Sequence, residues 1–375
     1  MRSDIYNALK IILTTFIFST LVMFLMRKVA VHVGALDVPR KEEGHRHIHK
    51  KVTPKLGAVG IYLSFLFGYM LFGQESIQMN SILIGSFVMI LTGIVDDLNP
   101  IKAYQKLLGQ IAAASVITFY GQILLNNITA FGFSIDFGIW AYPITILFIV
   151  ACSNIINLID GLDGLSGGVC SIFFITIGII GLYQGRSGSL VMILTFIMLG
   201  STLGFLVHNF YPAKIFAGDC TIFMGFIIAV ITLLEFKGPA LTSFFVPVMI
   251  LGIPILDTLF AIIRRLLKGQ APYKADKEHL HHQLLGMNFS QRTTVLIIYG
   301  MNFLFAIASI LYTIKDPQLG QIIYIIIFII VLWFVFHTSI ISDKNPKMAK
   351  KFMEKINISK KTTRPKEKKA KKKKK

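Results

Sequence analysis

The sequence is short of charged residues. Asp, Glu, Lys and Arg make up 15% of its 375 residues, whereas soluble globular domains have about 25%. Hydrophobic residues account for 54% of the chain. This composition excludes an ordinary soluble enzyme and predicts a protein that lies mostly in a lipid bilayer.

Cysteine is scarce as well. Cys152, Cys170 and Cys220 are the only three cysteines, and no two of them have CxxC spacing. They lie in or beside apolar runs, where cysteine behaves as a small hydrophobic residue. The sequence therefore predicts neither a disulfide framework nor a cysteine zinc site. A Walker A motif and a kinase-type glycine loop are also missing, which excludes a soluble-type nucleotide-binding fold.

Long apolar runs are abundant. A membrane-spanning helix needs roughly 20 mostly apolar residues, so the sequence predicts an all-α, polytopic integral membrane protein with about eleven transmembrane helices. Their approximate positions are 7–26, 57–73, 81–95, 106–125, 139–158, 166–183, 190–208, 221–236, 241–263, 293–314 and 320–341. The first run lacks a small-residue cleavage site and is expected to remain as an anchor. We predict a membrane-embedded domain over residues 1–341 and a basic tail, residues 342–375, with the composition of a disordered segment.

Lys and Arg are unevenly shared between the predicted loops. If the loops alternate sides, one set carries about thirty basic residues and the other about three, which assigns the richer set to the cytoplasm. The richer set comprises 27–56, 96–105, 159–165, 209–220, 264–292 and the tail. All polar motifs described below fall on this side, so we expect a cytoplasmic active face.

Acidic residues stand where apolar runs end. Asp96 and Asp97 follow one run, and adjacent carboxylates favour a shared cation or proton. The alternative is a pair of acids that simply ends a helix in water. Asn157, Asp160 and Asp163 are spaced like a polar stripe on a helix, although the glycines around them predict that the helix ends there. A plain Asp/Gly turn explains these acids but not the asparagine at the apolar end.

Two further motifs carry polar or aromatic groups. Asp219 begins another apolar run in "FAGD", where an acid is either a helix cap or a ligand, and Phe216 could stack on a flat ring or lie at the membrane interface. His279, His281 and His282 follow a basic stretch. Arg, Lys and His donate hydrogen bonds to phosphate oxygens, whereas a zinc ion is not bound amid a crowd of positive charge, so the pattern favours a phosphate ligand over zinc. An ordinary basic loop explains the charges but not three histidines in four residues.

Acids, an aromatic residue and cations at one membrane face are typical of phosphoryl transfer from a nucleotide. Thr53, Lys55 and Lys106 add polar groups to this face, although a lysine there could also be an anchor that reaches the interface. A transporter is the alternative class, because acids in membranes also mark ion paths. It predicts acids at mid-membrane and inverted repeats, whereas the acids named above cluster at one face and no repeat is visible.

Five segments resemble one family in order and spacing: "KVTPKLGAVGIY", "GIVDDLNP" with "KLLGQ", "NIINLIDGLDGLSGG", "NFYPAKIFAGD" and "DKEHLHHQLL". The chain resembles the polyprenyl-phosphate N-acetylhexosamine-1-phosphate transferases, the WecA/TagO-like branch of the group that also contains MraY. This resemblance covers about residues 35–290. The segment "CTIFMGF" after Asp219 departs from the usual pattern and bears on sugar or lipid preference.

The resemblance implies transfer of a sugar 1-phosphate from a UDP-sugar to a polyprenyl phosphate, undecaprenyl phosphate being the expected acceptor. UMP is released, and Mg²⁺ is the expected cofactor, with Mn²⁺ as the alternative ion. "HLHH" after "DKE" resembles the branch that uses UDP-GlcNAc, and an MraY-like use of UDP-MurNAc-pentapeptide is the alternative. The reaction would be the first membrane step of a cell-envelope glycan pathway, such as teichoic acid or lipopolysaccharide synthesis. A homodimer is compatible with the resemblance, and nothing indicates binding of nucleic acid.

The resemblance also implies roles for individual residues. The catalytic group is Asp96, Asp97, His279, His281 and His282, with Asp97 as either base or covalent nucleophile. The metal ligands are Asp219 and Asn157. The substrate-binding residues are Thr53, Lys55, Lys106, Asn157, Asp160, Asp163, Asn209, Phe216 and Arg265.

Overall fold

The apolar runs fold into helices. The computed structural model describes residues 2–38, 52–130, 133–235, 245–267 and 279–337. The helices are α1 Arg2–Val33, α2 Gly57–Phe72, α3 Ile77–Leu98, α4 Ala103–Ser115, α5 Ala141–Ile159, α6 Leu165–Tyr183, α7 Leu190–Asn209, α8 Ile222–Glu235, α9 Phe245–Ile250, α10 Gly252–Leu267, α11 Leu280–Gly286, α12 Gln291–Ile314 and α13 Pro317–His337. The predicted all-α, polytopic membrane fold is confirmed.

Strands are short and lie outside the helical core. Antiparallel pairs join β1 (Leu36–Asp37) to β2 (Thr53–Pro54), and β3 (Asn127–Ala130) to β4 (Phe133–Asp136). The second pair is a hairpin that closes the loop between α4 and α5. The first pair fixes the segment that leads into α2.

Six helical segments within the described residues are long and apolar enough to cross a membrane. They are Arg2–Val33, Ile77–Leu98, Gly138–Ile159, Leu165–Tyr183, Leu190–Asn209 and Gln291–Ile314. Shorter apolar helices cover Gly57–Phe72 and Gln318–Trp333. The protein is therefore a multi-pass membrane protein, with fewer full-length spans in this part of the chain than the eleven predicted.

Two predicted spans differ from a single straight helix. The run 106–125 is α4 followed by a π-helical turn, Val116–Tyr120. The run 241–263 is divided at Leu251 into α9 and α10 within its described part. Pro254 lies in the first turn of α10, where proline is tolerated because its missing N–H has no helical partner. The tail, residues 342–375, and the basic stretch 268–278 lie outside the described residues, so their predicted properties remain predictions.

Close helix packing brings the polar motifs to one place. Helix α8 is buried along almost its whole length, with α3, α5 and α7 around it. Helix α1 packs on α7, where a Cβ added at Gly204 would lie 2.7 Å from the Phe16 carbonyl oxygen. Small residues allow such close approach in membranes, where packing rather than the hydrophobic effect holds helices together.

Candidate active site

The motif before α2 is hydrogen-bonded to the "FAGD" loop. The Phe216 N–H donates to the Pro54 carbonyl (2.8 Å), and the Phe216 carbonyl accepts the Gly57 N–H (2.8 Å). The Ala58 N–H donates to the Ala217 carbonyl at 3.1 Å. These bonds satisfy N–H groups that the first turn of a helix leaves unpaired. They also fix the backbone of Phe216, which is half-buried, and of buried Thr53 beside Pro54.

Three carboxylates and two lysines form one charged group, which we call the carboxylate cluster. Asp97 Oδ1 accepts the backbone N–H of Asp219 at 3.1 Å and lies 3.7 Å from Lys55 Nζ. Lys106 Nζ lies 2.7 Å from Asp219 Oδ1 and also pairs with Asp96 Oδ2. The cluster therefore unites five predicted site residues from three separate segments.

Two acids of the carboxylate cluster differ in the solvent exposure of their side chains. The Asp97 side chain is 0% exposed, whereas that of Asp219 keeps 29% exposure. Asp97 Oδ2 is buried and has no hydrogen-bond partner within the described residues, and Gly218 packs on it. A Cβ at Gly218, whose φ is +78°, would lie 2.5 Å from that oxygen. Glycine thus permits both the backbone conformation and the close approach.

Asp160 connects the carboxylate cluster to the turn after α5. Its Oδ1 accepts the Ser166 hydroxyl at 2.5 Å, and its Oδ2 accepts the Thr221 hydroxyl at 3.0 Å. Burial raises the pKa of this carboxyl to about 6, although both hydroxyl bonds favour its charged form. Helix α5 ends at Ile159, as the glycines after it predicted.

Two other predicted residues, Asp163 and Asn209, form hydrogen bonds with backbone groups of neighbouring loops. Asp163 Oδ2 accepts the Ala213 N–H at 2.9 Å. Asn209 Oδ1 accepts the Gly164 N–H at 2.9 Å, while its amide donates to the Ile215 carbonyl at 2.9 Å. These two residues join the turn after α5 to the loop after α7. Asn157 is half-buried in the last turn of α5, where its carbonyl accepts the Asp160 N–H at 3.3 Å.

The histidines pack against the same turn. The rings of His279 and His281 are parallel, 5.8 Å apart, and the ring of His282 lies 4.3 Å from that of His281. A Cβ at Gly161 would lie 2.5 Å from His281 Nε2. Burial, with added repulsion from His282, lowers the pKa of His281 to about 3, so the ring is neutral at pH 7.

The sequence prediction missed Asp257, which positions these histidines. Its Oδ2 lies 3.0 Å from His279 Nδ1, and its Oδ1 accepts the Leu280 N–H at 2.7 Å. A lone acid inside a predicted span is itself a signal of function. Arg265, a predicted substrate-binding residue, is buried at the end of the same helix, as is Arg264.

The side chains of the site can be compared with the ligands that Mg²⁺ usually takes. No group of three or more His, Cys, Asp or Glu within the described ranges has the arrangement of a complete metal site. Mg²⁺ does not require one, because it is usually held by one or two carboxylates together with water and substrate phosphates. The accessible Asp219 carboxylate fits such an ion.

Acids, lysines and histidines meet at one end of a polytopic helical bundle. This arrangement is typical of a membrane-embedded enzyme that transfers phosphoryl groups. Comparison with known proteins gives the family. Residues 79–235 match the model of glycosyl transferase family 4, and the chain belongs to this family. The predicted resemblance is thereby confirmed.

The relatives are named for one reaction type. A Bacillus subtilis protein, 37% identical over 85% of this chain and 89% of its own length, is named probable undecaprenyl-phosphate N-acetylglucosaminyl 1-phosphate transferase. A Mycobacterium tuberculosis decaprenyl-phosphate N-acetylglucosaminephosphotransferase is 30% identical over 80% of this chain and 82% of its own. An Escherichia coli undecaprenyl-phosphate alpha-N-acetylglucosaminyl 1-phosphate transferase is 29% identical over 76% and 79%.

Proposed function

We propose that the protein transfers N-acetylglucosamine 1-phosphate from UDP-GlcNAc to a polyprenyl phosphate, with undecaprenyl phosphate as the acceptor. The products are polyprenyl diphosphate-GlcNAc and UMP. The observation that carries this proposal is the carboxylate cluster, in which Lys106 joins Asp96 to Asp219 and Asp97 binds the Asp219 backbone. The names of the relatives support the choice of sugar and lipid.

The reaction is a displacement at phosphorus. An oxygen of the lipid phosphate attacks the β-phosphorus of UDP-GlcNAc, and the bond to the oxygen bridging the α-phosphorus breaks, which releases UMP. Asp97 Oδ2, which is buried and has no hydrogen-bond partner in the described part of the chain, would accept the proton of the lipid phosphate. Lys55 and Lys106 offset phosphate charge. Direct attack by Asp97 as a covalent nucleophile is the alternative, and trapping of a phospho-aspartate would distinguish it.

Divalent-metal dependence is general in the family, and we propose Mg²⁺, with Mn²⁺ as the alternative. Asp219 and Asn157 would hold the ion, and when bound it would offset charge on the diphosphate. Asp160 lies next to this group through Thr221 and fixes the turn that carries the site. Its raised pKa keeps it partly protonated near pH 6.

The remaining predicted residues fit the sugar nucleotide. Phe216 would stack on the uracil ring, with Asn209 and Asp163 holding the loop that carries it. His279, His281, His282 and Arg265 would contact the sugar and phosphates. Thr53 would hold the segment that carries Lys55, because Thr53 and Pro54 pair with strand β1.

We further propose the cytoplasmic membrane as the location, with the site loops and the basic tail in the cytoplasm. The excess of Lys and Arg in these loops supports this orientation. The membrane domain would cover residues 1–341, and the pathway served would be synthesis of a cell-envelope glycan. Chemical crosslinking of the purified protein would test for a homodimer.

The first experiment is a transfer assay on purified protein in detergent. Radiolabelled UDP-GlcNAc and undecaprenyl phosphate are supplied with Mg²⁺ or with EDTA. A parallel reaction contains UDP-MurNAc-pentapeptide as the sole donor. We expect lipid-linked GlcNAc and UMP, both lost with EDTA. Transfer from the muramoyl donor alone would refute the choice of sugar, and full activity of Asp219→Asn would refute the metal assignment.

A further inference from the structure

A reciprocal pair of side-chain amides joins α4 to α5. Asn154 Nδ2 donates to Gln110 Oε1 at 2.6 Å, and Gln110 Nε2 donates to Asn154 Oδ1 at 3.3 Å. Asn154 Nδ2 also donates to the carbonyl of Val150, one turn earlier in α5, at 2.8 Å. The Gln110 residue is 1% exposed. We call Gln110 and Asn154 the amide pair.

The proposed function gives neither member of the amide pair a role. Gln110 is the last residue of the segment "KLLGQ", and Asn154 is the first residue of "NIINLIDGLDGLSGG". A buried amide is costly unless it is hydrogen-bonded, and hydrogen bonds between Asn or Gln on neighbouring helices hold membrane helices together. The amide pair therefore fixes α4 against α5 at one level of the bundle.

The amide pair lies one helical turn from two site residues. Lys106 is four residues before Gln110 in α4, and Asn157 is three residues after Asn154 in α5. These spacings place each site residue on the same face of its helix as the amide, at about 6 Å and about 4.5 Å along the axis. Because α4 begins and α5 ends at the candidate active site, both displacements point toward that site.

Helix α4 is confined on another side by α3. A Cβ at Gly109 would overlap the side chain of Thr92, which is one turn before Asp96 in α3. Helix α4 is thus in close contact with α3 at Gly109 and hydrogen-bonded to α5 at the next residue, Gln110. Since packed helices do not yield freely, a change in the length of the amide pair would move α4, and Lys106 with it.

We propose that Gln110 and Asn154 are positioning residues, which hold Lys106 and Asn157 at a common level beside the diphosphate of the sugar nucleotide. The inference rests on the proposed function, in which Lys106 offsets phosphate charge and Asn157 holds the metal ion. The amide pair acts through the residues one turn away and not on the substrate itself.

The test changes the lengths of the two amide side chains. Glutamine is one methylene longer than asparagine, so Gln110→Asn makes the pair too short and Asn154→Gln makes it too long. The exchange variant Gln110→Asn/Asn154→Gln keeps the total length. The matched control is Thr202→Val, which keeps the side-chain shape but removes the acceptor of a 3.2 Å bond from Ser171 that joins α6 to α7.

Two quantities are measured in detergent. The transfer assay gives kcat, and peptide mass spectrometry gives the rate of acetylation of Lys106 relative to that of the exposed Lys102. The ion pairs of Lys106 with Asp96 and Asp219 favour its protonated form, which does not react with the acetylating reagent. A displaced Lys106 is therefore acetylated faster, whether or not the protein turns over a substrate.

We expect each single variant to lower kcat by about tenfold to a hundredfold, because a misplacement of about 1 Å has an effect of this size. Acetylation of Lys106 should become severalfold faster in the same variants. The exchange variant should recover both quantities, and Thr202→Val should change neither, although its melting temperature falls. If the single variants do not fold, Gln110→Met, which is apolar and of similar size, replaces them and should show the same two changes.

Wild-type kcat and wild-type acetylation of Lys106 in both single variants would overturn the inference. A loss of kcat with unchanged acetylation, or an equal loss in Thr202→Val, would also overturn it, because the amides would then only stabilise the fold. An exchange variant no better than the single variants would exclude a reciprocal pair. If the wild type transfers nothing, the proposed function fails, while the acetylation rates still decide whether the amide pair positions Lys106.

Discussion

Asp257 orients His279 through a hydrogen bond of 3.0 Å between Oδ2 and Nδ1, while its other oxygen accepts the N–H of Leu280. The carboxylate is a pure acceptor when ionised, so it favours a proton on Nδ1 and leaves Nε2 of His279 as an acceptor. Asp257 therefore sets both the position of α11 and the tautomer of a residue at the candidate active site.

We expect Asp257→Asn to lower kcat by about tenfold to a hundredfold, by analogy with the loss when carboxylates that orient metal-bound imidazoles are removed. The amide can still accept from Leu280 but presents a donor to His279, so the ring changes tautomer or turns. Steady-state kinetics and a pH–rate profile measure the effect. Asp316→Asn is the control, because that carboxylate only caps Gln318. An unchanged pH profile with full kcat would contradict the positioning role.

Lys106→Gln should reduce kcat/KM by about a hundredfold, because the substitution removes the cation between Asp96 and Asp219. The two carboxylates would then repel each other or bind protons. The transfer assay measures this loss, with Lys102→Gln, exposed and four residues earlier, as the matched control. Activity close to wild type in Lys106→Gln would show that the ion pairs are dispensable.

Gly218→Ala should impair activity through Asp97. The new methyl group would lie 2.5 Å from Asp97 Oδ2, and the backbone of Gly218 (φ +78°, ψ −172°) adds a cost of about 1–3 kcal/mol for any other residue. We expect a lower melting temperature together with a large loss of turnover. Gly188→Ala is the control, since a Cβ there meets nothing within 4 Å. Equal behaviour of the two variants would refute the close approach at Asp97.

His281 should make the protein less stable in acid. Its folded pKa, about 3, lies below the ordinary value of about 6.5. The unfolded state therefore binds more protons between these values, so the free energy of unfolding falls as the pH falls from about 6.5. Melting temperatures in detergent at pH 7.5 and pH 5 should differ less for His281→Asn than for wild type. The same difference in both proteins would contradict burial of a neutral ring.

The sequence predicted the helices well because long apolar runs mark the segments that lie in lipid, and polar residues mark where those segments end. The division at Leu251 was not predictable from hydropathy, because the sequence is apolar without a break from Phe245 to Leu256. For the site, the motifs supplied the residue types but not their partners. Nothing in the spacing of Asp97 and Asp219 shows that one carboxylate accepts the N–H of the other.

Asn209 and Asp163 illustrate the limit of reading side-chain chemistry from residue type. Both are polar residues in a candidate site, yet the contacts described for them hold backbone N–H and carbonyl groups of neighbouring loops. Which polar residue supports a loop is decided by tertiary packing. Asp257 shows the converse, because its position inside an apolar run marks it as functional, while its partner is known only from the position of α11.

The hydrogen bonds between the segment before α2 and the "FAGD" loop have a consequence for biosynthesis. Lys55 is synthesised after only one helix, whereas Asp219 and His281 are synthesised after seven or more helices. A nascent chain therefore carries no complete active site, however many of its helices already lie in the bilayer. On the proposed function, transfer activity would therefore begin only after the later helices are inserted.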